Sequence, residues 1–473
     1  MKNGFMHPDR LFSSDVNIKK HARSLYERVA NQAIISPHGH TDPAWFAQNK
    51  AFCDPVALML APDHYLIRML NSQGLDRRNF GVSDQQGLVF KTGKEAWLEF
   101  AKVYHLFLGT ASGFWFDSTL SEVFGIEQRL SVNNADSIYD TLQQNLQSDD
   151  YRPCNLLDKF NIELIATTEG ASNPLKHHQQ LQNINHSAGW SNRVISTYRP
   201  DDVCNPNIHG FVERLTTFIR DNNEDETSWS GMINAHRKRR AFFRQHGATA
   251  TDHGTATART VDLSSQACQN LLDRFLTGKN KKNDAELFQA QMLTEMAGLS
   301  AEDGMVMQLH AGCYRNHDQQ VFNNYGVDAG ADIPLKIDFV NDLAPLLNKY
   351  GHDEKFKMIL FTLDESTYSR ELAPLVSHWP CLLLGPPWWF SDSPAGIKRY
   401  FEQVVEITGF SNLAGFNDDA RSLLSIPARH DVWRRCLCNY LGTLVNQNRI
   451  GLEDAQYLAI DLSGPSAKRA YKL

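Results

Sequence analysis

Short apolar runs recur along this chain, and most are followed by a polar turn and a helical stretch. Each run is nearly continuous in apolar or β-branched residues, as expected for parallel strands buried on both faces. The runs are Ala33–Pro37, Ile162–Thr167, Arg193–Tyr198, Gly247–Thr251, Met305–Leu309, Lys357–Leu363, Cys381–Gly385 and Asn412–Phe416. Strands that alternate with helices indicate βα units, and eight such units predict a closed (β/α)8 TIM barrel of the α/β class.

The stretch between the first and second runs is too long for a βα loop and carries helical patterns. Thr92 and Glu95 form a capping-box pattern ahead of an apolar helical face, and Asn134 can cap a second helix through Leu146. We therefore predict a distorted barrel with a helical insertion after the first strand. The expected divisions are an N-terminal segment with the first strand at 1–43, the insertion at 44–160 and the remainder of the barrel at 161–473.

Charge and apolar patterning narrow the function classes. The 473 residues include 54 acidic and 47 basic ones, giving a net charge of −7, which argues against a nucleic-acid partner. The N-terminus lacks a signal-peptide pattern, and no apolar run approaches the roughly 18 residues of a membrane span. Eight cysteines are too few for a disulfide scaffold in a chain of this length. We expect a cytoplasmic enzyme with reduced, mostly buried thiols.

Several common catalytic motifs are absent from the sequence. It contains no Walker A sequence, no dinucleotide-binding glycine pattern after a strand, and no Gly-x-Ser-x-Gly elbow. A P-loop ATPase, a nicotinamide-dependent enzyme and the usual α/β-hydrolase are therefore disfavoured.

The sharpest local motif is Ser-Pro-His-Gly-His-Thr-Asp at 36–42. His38 and His40 leave the end of the first predicted strand, and alternate residues of an extended segment share a face. Both imidazoles can therefore point at one ion, and neutral imidazole suits zinc and similar divalent ions. Two solvated loop histidines are the alternative. The position at a strand end favours a site, because active sites of barrels collect there.

Other strand ends supply further ligand candidates. Asp418 or Asp419 follows the eighth run, although an aspartate there can also cap a helix. His310 ends the fifth run and His253 follows the fourth. His or Asp at four strand ends predicts a mononuclear metal site, and spacing alone leaves open whether His310 or His253 contacts the ion.

Arginines and tryptophans also follow the strands. Arg199, Arg315 and Arg421 would lie at one barrel mouth, where guanidinium groups can bind a carboxylate or a developing oxyanion. Structural salt bridges with neighbouring aspartates are the alternative for each arginine. Trp388 and Trp389 follow the seventh run and can either floor a sugar pocket or pack within the loop.

These motifs, in their order and spacing, resemble those of the uronate isomerases of the amidohydrolase superfamily. The resemblance covers almost the whole chain. Besides His38-x-His40, it is carried by Asp63-His64-Tyr65 with Arg68, Thr197–Asp201, Met307–His310 with Arg315 and Asn316, Trp388–Phe390 with Asp392, Asp419–Ser422, and Ala467–Tyr471. Glu169, Ala420 and His317 depart from the family pattern and indicate a divergent branch.

The resemblance implies a metal-dependent aldose–ketose isomerase of hexuronic acids. D-Glucuronate would become D-fructuronate, and D-galacturonate would become D-tagaturonate, by proton transfer between C1 and C2 through an enediol or enediolate. It also implies a cytoplasmic homo-oligomer that acts on a small hexuronate. The cofactor would be one divalent ion, with Zn²⁺ expected first and Mn, Co or Ni also suited to the donors.

Within this resemblance, our hypothesis divides the site residues by role. The metal ligands are His38, His40 and Asp419. The proton-transfer and charge-stabilising residues are Asp419 (or a water beside it), Tyr65 and Arg421. The substrate-binding residues are Arg199, His64, His310, Arg315, Trp388 and Arg469, of which Arg199, His64 and Arg469 would hold the C6 carboxylate.

Two alternative functions stay open at the level of sequence. The first is a metal-dependent hydrolase of the same superfamily acting on a sugar-acid lactone or amide, since metal-bound hydroxide on this scaffold can hydrolyse such bonds. The second is a non-catalytic sugar-acid binding protein, which predicts lost metal ligands. Both remain because a fold by itself does not specify function.

Overall fold

The computed structural model describes residues 5–184 and 193–473. The described part of the chain contains nine strands: β1 (Ile34–Ser36), β2 (Ile162–Gly170), β3 (Val194–Arg199), β4 (Ala250–Thr255), β5 (Val306–Ala311), β6 (Cys313–Tyr314), β7 (Ile333–Pro334), β8 (Met358–Thr362) and β9 (Leu382–Leu384). Seven of them form one parallel sheet in the order β1-β2-β3-β4-β5-β8-β9, and β6 pairs antiparallel with β7.

Helices separate the strands and account for most of the regular structure in the same ranges. They are α1 (Val16–Val29), α2 (Pro43–Gln48), α3 (His64–Ser72), α4 (Gly93–Val103), α5 (Ala111–Ser118), α6 (Ala135–Leu146), α7 (Pro153–Lys159), α8 (Lys176–Ile184), α9 (Asp201–Cys204), α10 (Phe211–Asp221), α11 (Trp229–Gln245), α12 (Ser265–Leu276), α13 (Asp284–Asp303), α14 (Gln319–Tyr325), α15 (Phe339–Tyr350), α16 (Ala373–Val376), α17 (Pro394–Thr408), α18 (Ile426–Asn446), α19 (Leu452–Leu462) and α20 (Pro465–Tyr471). Short π and 3-10 turns lie at Val56–Leu60, Arg77–Phe80, Tyr104–Phe107, Thr119–Val123, Asp149–Tyr151, Tyr368–Leu372 and Leu423–Ser425.

The eighth apolar run differs from its prediction. Seven runs form strands of the parallel sheet, but the run at 412–416 makes only an isolated bridge from Leu413 to Leu384 of β9. Gly415 gives the reason: its φ is +79°, and a Cβ there would lie 2.7 Å from the backbone nitrogen of Ala467. A close approach of α20 and a left-handed residue end regular pairing at this point.

Two of the predicted helices begin and end close to where their patterns indicate. The helix after Thr92 is α4, and the helix after Asn134 is α6, which ends at Leu146. Neither cap side chain bonds to its own helix, and Asn134 Oδ1 instead accepts from the Ser131 backbone amide at 2.8 Å. The helix starts are therefore fixed by the buried faces, which include Trp97 and Phe100.

Two large apolar cores divide the molecule. One lies between the sheet and the helices that follow its strands, and it includes Tyr198, Met307 and Trp433. The other gathers the helices between β1 and β2 around Trp97 and Phe100. This core also takes in Ile34 of β1, Ile162 and Ile165 of β2 and Val194 of β3, so the helices between β1 and β2 pack against the sheet.

The chemical expectations for the thiols hold. All eight cysteines are free, and seven of them are buried. Within 5–184 and 193–473, no helix combines the length and apolar character that crossing a bilayer requires.

The sheet sets the position of the site. Because β1, β2, β3, β4, β5, β8 and β9 run parallel to their neighbours, their carboxyl ends meet at one edge. Ligands of parallel α/β sheets bind at this edge. The residues that follow the strands therefore converge there.

Candidate active site

A cavity of about 630 Å³ opens at the carboxyl edge of the sheet. Strand-end residues, including His38, His310 and Asp419, line one wall. The start of α3, with Asp63, His64 and Tyr65, lines another part of the cavity. A volume of this size suits a small-molecule ligand.

His38, His40 and Asp419 converge in this cavity. Asp419 Oδ1 lies 3.5 Å from His38 Nε2 and 3.2 Å from His40 Nε2. Asp419 has a left-handed backbone with φ of +45°, and its Oδ2 accepts a 2.9 Å hydrogen bond from the Trp388 indole. The indole fixes the carboxylate so that its second oxygen faces the two imidazoles.

The chemistry of these three side chains fits a divalent ion. Their ligand atoms all lie within 4.8 Å of one another. Asp419 Oδ1 is buried and has no well-directed hydrogen bond from the described residues. Burial alone would raise the pKa of the Asp419 carboxyl, but the two imidazoles hold that pKa well below its usual range. Two imidazoles and an ionised carboxylate are a donor set for Zn²⁺ and similar ions.

A second group of ligand-type side chains lies beside the first. His310 Nδ1 and Asp252 Oδ1 are 2.6 Å apart, and the rings of His310 and His38 stack at 4.9 Å. Arg199 completes this group, because its Nη1 lies 3.0 Å from Asp252 Oδ2 while its Nε donates to Asp201 at 2.8 Å. Although burial opposes it, the Arg199 guanidinium holds the pKa of the Asp252 carboxyl well below its usual range.

Asp252 was missed by the sequence reasoning, which named its neighbour His253. Adjacent residues of a strand point to opposite faces, so only one of the two reaches the cavity. His253 Nε2 instead lies 3.0 Å from Thr251 Oγ1 in a separate small cavity lined also by Cys204 and Met292. Burial lowers the pKa of His253 to about 3, so this imidazole is neutral. His253 therefore lies away from the candidate metal ligands.

Three arginines surround one carboxylate at the mouth of the cavity. Asp328 Oδ2 lies 3.8 Å from Arg421 Nη2, and Arg421, Arg315 and Arg199 together hold the pKa of Asp328 below its usual range, although burial opposes them. Backbone carbonyls beside Asp328 accept hydrogen bonds from Arg68, at Gly330, and from Arg77, at Ala329. Asp328 thus occupies a cationic cluster that suits a carboxylate.

The start of α3 presents Tyr65 and His64 to the cavity. Asp63 caps the helix by accepting from the backbone amides of Tyr65 at 2.9 Å and Leu66 at 3.1 Å. Tyr65 donates its phenol proton to Asp392 Oδ2 at 2.7 Å. Burial and the nearby Arg421 lower the pKa of His64 to about 3, so this side chain is a neutral imidazole.

Arg469 is the predicted site residue that the structure places elsewhere. Both terminal nitrogens of its guanidinium donate to Asp461 at 2.7 Å, and 61% of its side chain is exposed. Its helix turns Ala467 and Tyr471 inward, and Tyr471 accepts from Asn417 at 3.0 Å. Helical periodicity thus directs Arg469 to the surface, and the expectation that it holds a substrate carboxylate is wrong.

The remaining predicted residues line the cavity: Tyr65, Arg421, Arg199, His64, His310, Arg315 and Trp388, with the ligands His38, His40 and Asp419. Asp418, the alternative to Asp419, turns away and accepts from His430 Nε2 at 3.0 Å. Position after the eighth run left these two adjacent acids open, and the choice of Asp419 rested on the family resemblance; in the structure Asp419 is the one that lines the cavity.

Glu169 is a buried acid at the end of β2. Thr167 Oγ1 donates to its Oε1 at 2.6 Å, and His178 Nε2 lies 3.9 Å from the same oxygen. Burial raises the pKa of Glu169 to about 8, so its carboxyl is mostly protonated at pH 7.

Comparisons with known proteins identify the family of the chain. The sequence model described as "Glucuronate isomerase" matches residues 4–463. The chain is 48% identical to a uronate isomerase of Xanthomonas oryzae pv. oryzae, over 99% of this chain and 98% of the relative. It is 49% identical to a uronate isomerase of Phenylobacterium zucineum, over 99% and 97%. The crystal structure of glucuronate isomerase from Caulobacter crescentus superposes with a TM-score of 0.96 at 47% identity, covering 99% of this chain and 97% of that one.

Proposed function

The chain belongs to the glucuronate isomerase family, and from that premise we propose that it is a metal-dependent aldose–ketose isomerase of hexuronic acids. D-Glucuronate would be converted to D-fructuronate and D-galacturonate to D-tagaturonate. The observation that carries the proposal is the convergence of His38, His40 and Asp419 in one cavity with a set of arginines. A ligand set beside guanidinium groups suits a substrate that is both a carbonyl compound and an anion.

His38, His40 and Asp419 would hold the ion. When bound, a divalent ion supplies Lewis-acid polarisation of a substrate oxygen. Zn²⁺ is expected first, and Mn, Co or Ni suit the same imidazole and carboxylate donors. The buried Asp419 Oδ1, which has no well-directed partner in the described ranges, supports this placement.

The isomerisation moves hydrogen from C2 to C1 and a proton from O2 to O1. Asp419 is the proposed carrier of the carbon-bound proton, because its ionised carboxylate lines the cavity beside the His38 and His40 imidazoles. Tyr65 is the proposed acid and base for the substrate oxygens. Arg421 would stabilise the enediolate, since its guanidinium lines the cavity with partial exposure and pairs only loosely with Asp328.

The C6 carboxylate would be bound by Arg199, with His64 and Arg315 beside it. Arg199 is held in place by Asp201 and Asp252, so its guanidinium is preorganised before substrate arrives. His64 is neutral and can donate one hydrogen bond without adding charge. His310 and Trp388 would shape the pocket floor around the ligands.

We also infer that the curved sheet belongs to a distorted (β/α)8 barrel whose eighth side is the run at 412–416. In that arrangement the helical insertion occupies 44–160, between an N-terminal segment at 1–43 and the remainder of the barrel at 161–473. The stretch between β1 and β2 contributes most of the apolar core around Trp97 and Phe100, and this supports the division. A cytoplasmic homo-oligomer stays a prediction of the family resemblance.

Product analysis tests the proposed reaction. Purified protein is incubated separately with D-glucuronate, with D-galacturonate and with the corresponding lactones, and the products are identified by NMR. We expect ketoses from both uronates and no hydrolysis of the lactones. Lactone hydrolysis without ketose formation would instead support the metal-dependent hydrolase, and binding without turnover would support a sugar-acid binding protein.

A pair of Arg199 variants tests the carboxylate site. Arg199→Met removes the guanidinium and also leaves Asp252 buried without its main partner, which costs about 3–5 kcal/mol. Arg199→Lys keeps a charge beside Asp252 but loses the two-pronged fork. We expect both variants to raise the KM for D-glucuronate, with Arg199→Lys remaining folded by circular dichroism. An unchanged KM for the uronate in Arg199→Lys contradicts the assignment.

A further inference from the structure

The phenol proton of Tyr65 is used in a hydrogen bond within the protein. Its hydroxyl donates to Asp392 Oδ2 at 2.7 Å, and the side chain is otherwise enclosed by the rings of Trp115, at 5.4 Å, and Trp389, at 6.1 Å. A phenol has one proton to donate. In this arrangement Tyr65 presents only oxygen lone pairs to the cavity and can accept, but not donate, a hydrogen bond there.

Asp392 is built into the same wall and is connected to a buried cation. Its Oδ2 also accepts from Arg429 Nη1 at 2.9 Å. Arg429 lies over the Trp115 ring at 3.9 Å and over the Tyr65 ring at 5.5 Å, which keeps it beside Asp392. Asp392 Oδ1 is buried and has no hydrogen-bond partner in the described part of the chain. The carboxylate is therefore fixed by two donors on one oxygen and carries an unused oxygen.

The two other acids near Tyr65 make hydrogen bonds or close contacts with groups other than the phenol. Asp63 caps α3 through two backbone amides, and Asp419 faces the two imidazoles. Burial raises the pKa of the Asp392 carboxyl, which makes it a better proton acceptor than an exposed aspartate. Asp392 is the acid that bonds directly to the phenol.

We propose that Asp392 is a positioning residue that stores the proton of Tyr65 while Tyr65 moves a proton between the two substrate oxygens. The proposal deepens the proposed isomerisation and rests on it. Asp392 acts through Tyr65 and does not touch the substrate.

The proton movements balance in two steps. In the first step Asp419 takes the proton of C2, the C2–H electron pair forms the C1=C2 double bond and the C1=O π pair moves to O1; Tyr65 Oη takes the proton of O2–H as its own proton passes to Asp392 Oδ2. In the second step O1 takes a proton from Tyr65 Oη, which regains one from Asp392 Oδ2, while C1 takes the proton from Asp419 and the C2=O double bond forms. The enzyme returns to its starting protonation, no oxidant or reductant is required, and Tyr65 never becomes a free phenolate.

Asp392→Asn separates proton storage from orientation. The amide oxygen of asparagine still accepts the phenol hydrogen bond, but the side chain cannot take up a proton at neutral pH. We expect kcat for D-glucuronate to fall about 10²-fold, as for loss of one acid–base group, with KM within a few-fold of the parent. Circular dichroism and metal content report whether the fold and the ion site are intact. A kcat equal to that of the parent overturns the proposal.

A double-mutant cycle with Tyr65→Phe shows whether Asp392 acts through the phenol. If it does, Asp392→Asn lowers kcat strongly in the parent but changes the Tyr65→Phe protein little. A merely structural Asp392 lowers kcat by the same factor in both backgrounds, and that additivity contradicts the relay.

The parent protein offers a test that does not depend on any variant folding. Single-turnover rates are measured in mixtures of H2O and D2O with saturating D-glucuronate. Two protons moving together give a curved dependence on deuterium fraction, and we expect that curve. A straight line, which one moving proton produces, contradicts the relay.

These outcomes separate the relay from the reaction on which it rests. If the parent protein converts neither uronate, the proposed function itself fails. If the parent is active and Asp392→Asn is equally active, the isomerase assignment stands and the relay fails.

Discussion

Two walls of the cavity differ in the chemistry of their side chains. The metal-ligand wall, defined as His38, His40, Asp252, His310 and Asp419, comes from strand ends and brings its imidazoles and carboxylates within a few ångströms of one another. The phenol wall, defined as Asp63, Tyr65, Asp392 and Arg429, comes from helix starts and one loop, and it is linked by hydrogen bonds from Arg429 to Asp392 and from Tyr65 to Asp392.

The difference lies in where the hydrogen-bonding capacity is used. On the metal-ligand wall, Asp419 Oδ1 and His310 Nε2 are buried and lack partners among the described residues. On the phenol wall, Asp392 Oδ1 also lacks a partner among the described residues, but the Tyr65 hydroxyl and the oxygen of Asp63 that caps α3 are satisfied by protein groups. The metal-ligand wall is suited to binding a cation, and the phenol wall is suited to binding and transferring protons. Substitutions in the two walls should therefore impair the enzyme in different ways.

The largest effect is expected when a ligand of the metal-ligand wall is replaced, because only that change should remove the bound metal ion. His38→Asn removes one ligand, and we expect loss of bound metal together with about a 10³-fold fall in kcat/KM, because Lewis-acid stabilisation is worth several kcal/mol. Metal content by mass spectrometry and uronate turnover are measured together. His253→Asn is the matched control, because His253 is a buried histidine near the carboxyl end of β4 that lies outside the cavity; a similar loss of metal in that variant contradicts the assignment of the ligands.

A smaller loss is expected when the phenol wall is changed. Tyr65→Phe should lower kcat about 10²-fold through loss of an acid–base group, while the ion stays bound. Tyr104→Phe is the matched control, because the Tyr104 hydroxyl also donates to an aspartate, Asp117, at 2.7 Å but outside this cavity. Near-normal turnover in Tyr65→Phe would remove Tyr65 from the mechanism.

A substitution at the mouth of the cavity is expected to improve the apparent affinity for substrate instead of weakening it. Asp328 competes with an incoming carboxylate for Arg421, Arg315 and Arg199. Asp328→Asn should therefore lower the KM for D-glucuronate two- to fivefold, roughly the worth of one partly exposed ion pair, with kcat unchanged. Steady-state kinetics of this variant are compared with those of Asp150→Asn, which changes an exposed aspartate outside the cavity. A raised KM would show that Asp328 helps to bind substrate instead.

The last prediction concerns stability instead of turnover, and its residue lies outside both walls. The folded pKa of Glu169 is raised to about 8, so its buried carboxyl is neutral at low pH and must ionise in the fold as pH rises. The unfolded chain binds fewer protons over this window, so stability falls between about pH 4.3, the ordinary glutamate pKa, and pH 8, by at most about 1.4 kcal/mol per pH unit. Glu169→Gln should lose less stability than the parent across this window in thermal melts. Parallel pH profiles for the two proteins would contradict a buried, neutral Glu169.

Strand ends were predictable from sequence because the patterning is local. Buried strands appear as short apolar runs, and the residues after them must meet at one sheet edge, which predicted His38, His40 and His310 in one cavity. The sequence could not predict which face of the sheet each residue of a strand occupies. The sequence reasoning therefore named His253, whereas its neighbour Asp252 is the residue that faces the cavity. For the same reason the sequence alone could not choose between Asp418 and Asp419.

The phenol wall was only partly predictable because it is assembled from distant segments. Tyr65 was identified through the family motif, but its partner Asp392 lies 327 residues further along the chain, and Arg429 lies a further 37 residues away. No spacing rule connects a helix start, a loop after β9 and the start of α18. Arg469 is a case in which the family motif was misleading. The resemblance of the C-terminal segment predicted a substrate contact, but the helix directs the Arg469 side chain to the surface.

The central claim is that His38, His40 and Asp419 share one cation on which uronate isomerisation depends. The direct measurement is the metal content of the purified protein, determined alongside its turnover of D-glucuronate before and after treatment with a chelator and after readdition of Zn²⁺ or Mn²⁺. We expect about one divalent ion per chain, loss of turnover when the ion is removed, and recovery when it is restored, as for a three-ligand protein site with an open position. Full turnover by protein that retains no divalent ion would contradict the claim.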